Sequence, residues 1–191
     1  MTGTGRYQAG LGPELERALA LVRDVPDHPH PGVLFKDITP LLGDPLAFRT
    51  VVSALAAPFR PGPDGVPVVD AVAGIEARGF VLGAPIALEL GVSFVPVRKR
   101  GKLPHRTVGV DYQLEYGTAG IEVHADAFRP DQRVLVVDDV LATGGTAEAA
   151  CRLVEQVGGR VVALAVLLEL AFLSGRDRLV GREIGSLHVV G

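Results

Sequence analysis

Only one cysteine, Cys151, occurs in the 191 residues. A single thiol cannot form an internal disulfide, which fits a reducing compartment. Its place early in a helical pattern suits a small core residue better than a nucleophile. Positive charge is not in excess either: 19 Lys and Arg stand against 22 Asp and Glu, a formal net charge of −3. Bulk charge therefore provides no nucleic-acid surface. No basic segment followed by an apolar stretch opens the chain, so no secretory signal is expected. The longest apolar run, Val161 to Leu168, is too short to span a bilayer and meets Glu169. Histidines are few and scattered. His28 and His30 flank Pro29 without the helical spacing of metal ligands, and His105, His124 and His188 form no ligand set, so no dedicated metal cage is expected. With 48% hydrophobic residues the chain can fill a core. The expectation is one domain over residues 1–191, soluble and cytoplasmic, with neither membrane nor nucleic acid as partner.

The periodicity predicts helices over Pro13 to Val25, Pro45 to Ala57, Phe80 to Leu90 and Thr146 to Val157. Buried strands are predicted over Val68 to Ala73, Val92 to Val97, Val134 to Val137 and Val161 to Leu168. Strands alternating with helices argue for an α/β fold with a doubly wound, mostly parallel twisted sheet flanked by helices. Residues Arg98 to Asp111 carry five cations and little periodicity, which reads as an exposed, flexible loop. Gln113 to Glu115 and Ile121 to Val123 read as a hairpin that closes it. No internal repeat and no linker interrupt the pattern.

The most informative stretch is Val134-Leu-Val-Val-Asp-Asp-Val-Leu-Ala-Thr-Gly-Gly-Thr146. An apolar strand delivers Asp138 and Asp139 to the carboxyl edge of a parallel sheet, where such folds bind ligands. Ala142, Thr143, Gly144, Gly145 and Thr146 then bring closely approachable backbone N–H groups to a helix N-terminus, which suits a phosphate. No Lys follows the glycines, so this is not a P-loop, and the glycine spacing is not that of a dinucleotide fingerprint. Carboxylates beside a phosphate cradle suit a ribose phosphate: the acids take ribose hydroxyls or a Mg²⁺ assembly, and the loop takes the 5′-phosphate.

Further segments add to this site, each with a plainer reading beside it. Arg78, in Glu76-Ala-Arg78-Gly79-Phe80, could grip a diphosphate with its planar fork of donors or cap a local turn. Arg98, Lys99 and Lys102 form a cationic run that is either a diphosphate clamp or a solvated face. Phe35 could stack on a flat heterocycle, with Lys36 reaching a ring nitrogen, or be a core residue beside a solvated cation. Glu115, taken alone, is a surface acid.

The signature strand and loop resemble the phosphoribosyl diphosphate (PRPP) motif of type I phosphoribosyltransferases. Pro31-Gly-Val-Leu-Phe-Lys-Asp-Ile-Thr39, Glu-Ala-Arg-Gly-Phe, Arg98-Lys-Arg-Gly-Lys-Leu-Pro104 and Leu114-Glu-Tyr-Gly117 stand in the order of the adenine phosphoribosyltransferase family within that class. The resemblance implies the type I fold with a small hood and a flexible loop. It also implies transfer of ribose phosphate from PRPP to adenine, giving AMP and diphosphate, with Mg²⁺ held through PRPP and water. It casts Leu34, Phe35 and Lys36 as the adenine-binding segment, Arg78, Arg98, Lys99 and Lys102 as diphosphate-binding, and Glu115 as the catalytic acid that handles the purine proton. A homodimer is implied as well. Two rivals stand beside this reading: an enzyme of the same class with an oxopurine or orotate as acceptor, and a PRPP-sensing regulator without catalysis.

Overall fold

The computed structural model describes residues 12–113 and 118–191. In chain order its elements are α1 (Pro13–Leu19), β1 (Arg23–Pro26), β2 (Leu34–Asp37), α2 (Thr39–Gly43), α3 (Pro45–Ala56), β3 (Ala71–Ile75), α4 (Arg78–Leu90), β4 (Ser93–Lys99), β5 (Thr107–Gln113), β6 (Thr118–His124), β7 (Gln132–Leu141), α5 (Gly145–Gln156), β8 (Gly159–Leu170) and β9 (Ile184–Val190). Short 3-10 turns follow α3 and fill the stretch between β8 and β9.

The main sheet has seven strands in the order β5-β6-β4-β3-β7-β8-β9. Pairing is parallel from β4 through β9 and antiparallel where β6 meets β4 and β5. β1 and β2 form a separate antiparallel ribbon, the small hood.

The central strands are apolar on both faces through their middle stretches because both faces are covered. Val72, Leu135, Val137, Ala163 and Ala165 pack with α1, α3 and α4 on one side. The alternate residues Ala71, Ala73, Val134, Val136, Leu164 and Val166 pack against α5 on the other. Complete burial of one such Val or Leu contributes about 1.5–3 kcal/mol, so this alternation outweighs any single polar contact in holding the sheet together.

The register of β3 on β7 is locked at the amino end. Asp70 Oδ2 accepts from the Arg133 backbone N–H and Nε, each at 2.9 Å, and Oδ1 accepts from Nη2 at 2.6 Å. Asp44 caps α3 by accepting from the N–H groups of Leu46 and Ala47.

Several expectations need correction. The first helix ends at Leu19, and residues that were to extend it turn into β1, which pairs with β2. Tertiary pairing overrides a weak helical period here. The predicted strand at 68–73 lies further on, and α4 begins at Arg78 rather than Phe80.

Residues 98–111 are not loop throughout. Arg98 and Lys99 end β4, a turn follows, and Thr107 opens β5. Buried Glu122 fixes that turn by accepting the backbone N–H groups of Lys102 (2.9 Å) and Leu103 (3.0 Å). Its carboxyl lies below the usual range, because these and neighbouring backbone donors outweigh the larger single influence of burial. The cations misled because they are split between the end of a strand (Arg98, Lys99) and the turn after it (Arg100, Lys102, Arg106), with Arg100 paired to Asp111 at 2.9 Å. Finally, β9 had no counterpart in the sequence reading.

Candidate active site

The site gathers at the carboxyl edge of β3, β4 and β7. β7 runs on to Leu141, further than its apolar core suggests, and stays paired to β8 through Leu141. Its pairing with β3 stops at Val137. Asp138 and Asp139 therefore lie in the strand but next to a neighbour that has already turned away, which opens the cleft.

The start of α4 packs closely over this point. A Cβ on Gly79 would lie 2.6 Å from the Val137 carbonyl oxygen and 3.2 Å from Asp138 Oδ1. Only glycine allows that approach.

Asp139 is buried at 5% exposure, and its Oδ2 forms an ion pair with Arg78 Nε. Asp138 is half-buried, with Oδ1 accepting the Asp139 backbone N–H at 2.9 Å. Loss of solvent, then the adjacent charge of Asp139, pushes the Asp138 carboxyl well above the ordinary carboxylate range. Two adjacent acids are expensive in this position, and nothing in the packing requires them.

Beyond the acids, Ala142 and Thr143 lead to Gly144, which has φ +83° and stands just before α5. The first N–H groups of α5 lack intrahelical acceptors, and its twelve residues align peptide dipoles behind them. The Thr146 hydroxyl donates to the Tyr112 hydroxyl at 3.3 Å, which joins the helix start to β5. The five residues predicted to form an anion cradle therefore do form one continuous loop and helix start.

Arg78 connects this floor to the hood. While its Nε pairs with Asp139, its guanidinium carbon lies 5.1 Å from the centroid of the Phe35 ring. Phe35 also stands edge-on to His28, at 5.1 Å between centroids. Leu34 is exposed at 44%. Lys36 does not point free: its Nζ is 2.6 Å from Asp24 Oδ1, directly across the β1–β2 ribbon.

The cationic run is held from behind. Glu76 accepts the Lys99 backbone N–H at 2.8 Å and lies 3.5 Å from Arg98 Nε, while Arg98 Nη1 donates to the Lys102 carbonyl at 3.0 Å. The Lys99 donor chiefly keeps the Glu76 carboxyl below its usual value. Lys99 and Lys102 are exposed. Glu115 lies outside the described residues.

Among the described residues no group of three or more His, Cys, Asp and Glu is placed to hold a metal ion. Asp139 Oδ2 is buried with no aligned hydrogen-bond donor, despite its ion pair with Arg78. Adjacent carboxylates with spare acceptor capacity suit Mg²⁺, which keeps water and ligand oxygens around it and needs no protein cage.

Two contacts escaped the sequence reading. Tyr112, the residue just after the expected loop, meets Thr146. Gly175, at the same sheet edge, packs its backbone against Ala142 and Gly144. The signal available for the second was a glycine soon after a parallel strand, the same context that marked the cradle itself.

This arrangement of strand, paired acids and anion loop defines a phosphoribosyl-transferring site. A family model described as the phosphoribosyl transferase domain matches residues 67–180, and the chain belongs to that family. Its relatives within the family are adenine phosphoribosyltransferases. The one from Nocardioides sp. is 63% identical, with 87% of this chain and 90% of the relative covered. The one from Acidothermus cellulolyticus is 56% identical over 90% and 94% of the two chains. Among solved structures, adenine phosphoribosyltransferase from Thermoanaerobacter pseudethanolicus superposes with a TM-score of 0.86 at 48% identity, covering 92% of this chain and 99% of that one. The Saccharomyces cerevisiae enzyme, solved in complex with an imino-altritol bisphosphate and adenine, gives 0.85 at 35% identity, covering 91% and 98%.

Proposed function

We propose a division of labour among the residues of this site for the reaction of adenine with PRPP to give AMP and diphosphate, the purine-salvage activity of this chain. The observation that carries it is the Arg78 side chain, which touches both the ring of Phe35 and the carboxylate of Asp139. One cation thus joins a place for a flat base to a place for a ribose.

Ala142, Thr143, Gly144, Gly145 and Thr146 hold the 5′-phosphate through backbone N–H groups and the Thr146 hydroxyl. Asp138 and Asp139 accept from the ribose hydroxyls. Arg78, Arg98, Lys99 and Lys102 take the diphosphate, with the fork of Arg78 turning from Asp139 to the ligand. Phe35 stacks on adenine, worth on the order of 1–3 kcal/mol by analogy with stacked nucleobases, and the backbone around Leu34, with Lys36, reads its edge.

Asp138 and Asp139 are the residues that would hold Mg²⁺, with water and ligand oxygens, and the ion would supply charge neutralisation for the leaving diphosphate. The bond from ribose C1 to the diphosphate oxygen breaks with its electron pair going to diphosphate, and adenine N9 bonds to C1. Positive charge builds on the ribose ring in between, which the nearby carboxylates stabilise. Glu115 receives the purine proton.

A homodimer is supported by α4, which presents Val81 (40% exposed) and Leu88 (84%) two turns apart on its outer side. A cytoplasmic setting accords with the single cysteine of the sequence, Cys151, which is free and buried. Among the described residues no helix is long and apolar enough to cross a membrane.

The test is AMP or nucleotide formation from PRPP and Mg²⁺ with adenine, hypoxanthine and guanine side by side. Strong selectivity for adenine is expected, because a site that accepts from an exocyclic amine leaves groups unpaired against an oxopurine. Turnover of an oxopurine instead would overturn the acceptor assignment while leaving the phosphate loop in place.

A further inference from the structure

The turn between β8 and β9 is joined to the phosphate loop by backbone alone. A Cβ on Gly175 would lie 2.2 Å from the Ala142 carbonyl oxygen and 3.1 Å from the Gly144 nitrogen, and one on Gly144 would lie 2.3 Å from the Gly175 carbonyl oxygen. The two glycines interlock, so the position of Gly175 limits where the loop can sit.

The residue after Gly175 is tied down strongly. Arg176 donates to both oxygens of Glu169, from Nε at 2.6 Å and from Nη2 at 2.7 Å, and Nη1 reaches the Ile184 carbonyl at 3.4 Å. The Ser186 hydroxyl donates to the same carboxylate at 2.8 Å. Glu169 is only 6% exposed, and in β8 it is the register partner of Leu141, the residue immediately before the loop. This pair has its carboxylate buried while the Arg176 side chain stays 38% exposed, so desolvation of the one and solvent screening at the other leave it little net stability. Its geometric effect is plain: it fixes a turn at the end of two strands, against the end of a third.

We propose that Glu169, Arg176 and Ser186 form a positioning brace that, through the backbone of Gly175, holds the loop Ala142–Thr146 in the shape that receives the 5′-phosphate. This rests on the reading of that loop as the 5′-phosphate cradle. Small displacements of binding groups have large effects on affinity, and a cradle of backbone N–H groups has no side-chain freedom to compensate.

The same segment contains a second fork that serves as a control. Arg182 donates to Glu155 of α5 at 2.6 and 2.9 Å, away from the glycine contact. Removal of the second fork should lower stability and leave the cradle as it is, whereas removal of the first should alter the cradle.

The experiment measures steady-state constants for Glu169→Gln/Arg176→Met, a pair that leaves no unpaired buried charge, and for Arg182→Met. Ribose 5-phosphate and diphosphate serve as competitive probes of the two ends of PRPP. The brace variant is expected to raise the PRPP KM and the ribose 5-phosphate inhibition constant by about tenfold. Adenine KM, the diphosphate inhibition constant and kcat should stay within about twofold. Arg182→Met should melt lower with all these constants unmoved. A ribose 5-phosphate constant unchanged in the brace variant, or one that rises in step with the adenine and diphosphate constants, would overturn the brace. Thr146→Glu separates the two levels, since a carboxylate in the cradle must repel the phosphate. If it weakens ribose 5-phosphate while the brace variant does not, the brace alone fails. If it has no effect, the cradle reading fails and the brace with it.

Discussion

Strand β7 is handled in opposite ways at its two ends. At its beginning Arg133 meets Asp70, just before the neighbouring strand, in a two-pronged pair supported by a backbone N–H. At its far end Asp138 and Asp139 stand side by side at the cleft, with Arg78 on one of them. The first arrangement satisfies every charge it buries and stabilises the register. The second carries unspent acceptor capacity, which is a cost to folding unless a ligand uses it. Where acids are matched, the structure is explaining its own stability; where they are crowded, it is explaining what it binds.

The most severe way to break this contrast is to relieve the crowded end. Asp138→Asn keeps the shape and removes a charge that the folded protein disfavours. Its folded pKa is raised above the ordinary 3.8, so ionisation costs stability progressively as pH rises from that value through the folded one. At neutral pH the variant should therefore melt higher than the parent, and the advantage should vanish below the ordinary carboxylate pKa. Catalytic efficiency toward PRPP should fall by about 10- to 100-fold, the loss of one charged hydrogen-bond partner. Thermal melts at several pH values with PRPP kinetics check both halves. A variant that loses activity and stability together would make Asp138 a structural residue.

The opposite outcome is expected at the matched end. Asp70→Asn should cost about 1–2 kcal/mol, since the pair is partly exposed, and leave kcat and both KM values unchanged. Hydrogen bonds from the Arg133 side chain, more than any other influence, lower the Asp70 pKa from 3.8 to about 2. The contribution is thus fully present above the ordinary value and is lost as pH falls through about 2. Urea midpoints of parent and variant should differ most above about pH 5 and converge in acid. Loss of activity in the folded variant would erase the distinction between the two ends.

The same contrast explains how much could be read beforehand. Buried strands and the acid–loop signature were legible because they depend on local sequence: continuous apolar residues, then acids, then small residues at a helix start. Arg78 was legible as a cation beside that edge, but its link between Phe35 and Asp139 was not, since it depends on the hood folding over the sheet. Residues 98–111 were read as loop throughout because their cations are split between a strand end and a turn and give no alternation, and the buried residue that holds the turn, Glu122, is distant in sequence. Gly175 and Arg176 were missed for a similar reason. Their role depends on β9, which lends Ser186 and the Ile184 carbonyl, and a single short strand at a sheet edge leaves little pattern. Glu115 lies outside the described residues, and its role rests on resemblance.

The smallest effect concerns Lys36, which stands near the ligand-binding edge yet is paired in the manner of the matched end. Its Nζ lies 2.6 Å from Asp24, with 13% of the lysine side chain exposed and 53% of the aspartate's. A pair this open on one side contributes about 0–1 kcal/mol, so the lysine can leave it at little cost. Two outcomes separate the possibilities. If the pair is only a clasp across the β1–β2 ribbon, Lys36→Met should change the adenine KM by less than about fivefold, and Asp24→Asn should do the same. That is the expected result on the proposal that the backbone next to Leu34 and Phe35 meets the base edge, since a flexible ammonium then adds only one point contact. If Lys36→Met instead weakens adenine strongly while Asp24→Asn leaves it intact or improves it, the ion pair is a resting position from which Lys36 moves to the ring. Lys36 would then belong with the unspent acids at the far end of β7, as a charge kept for the ligand.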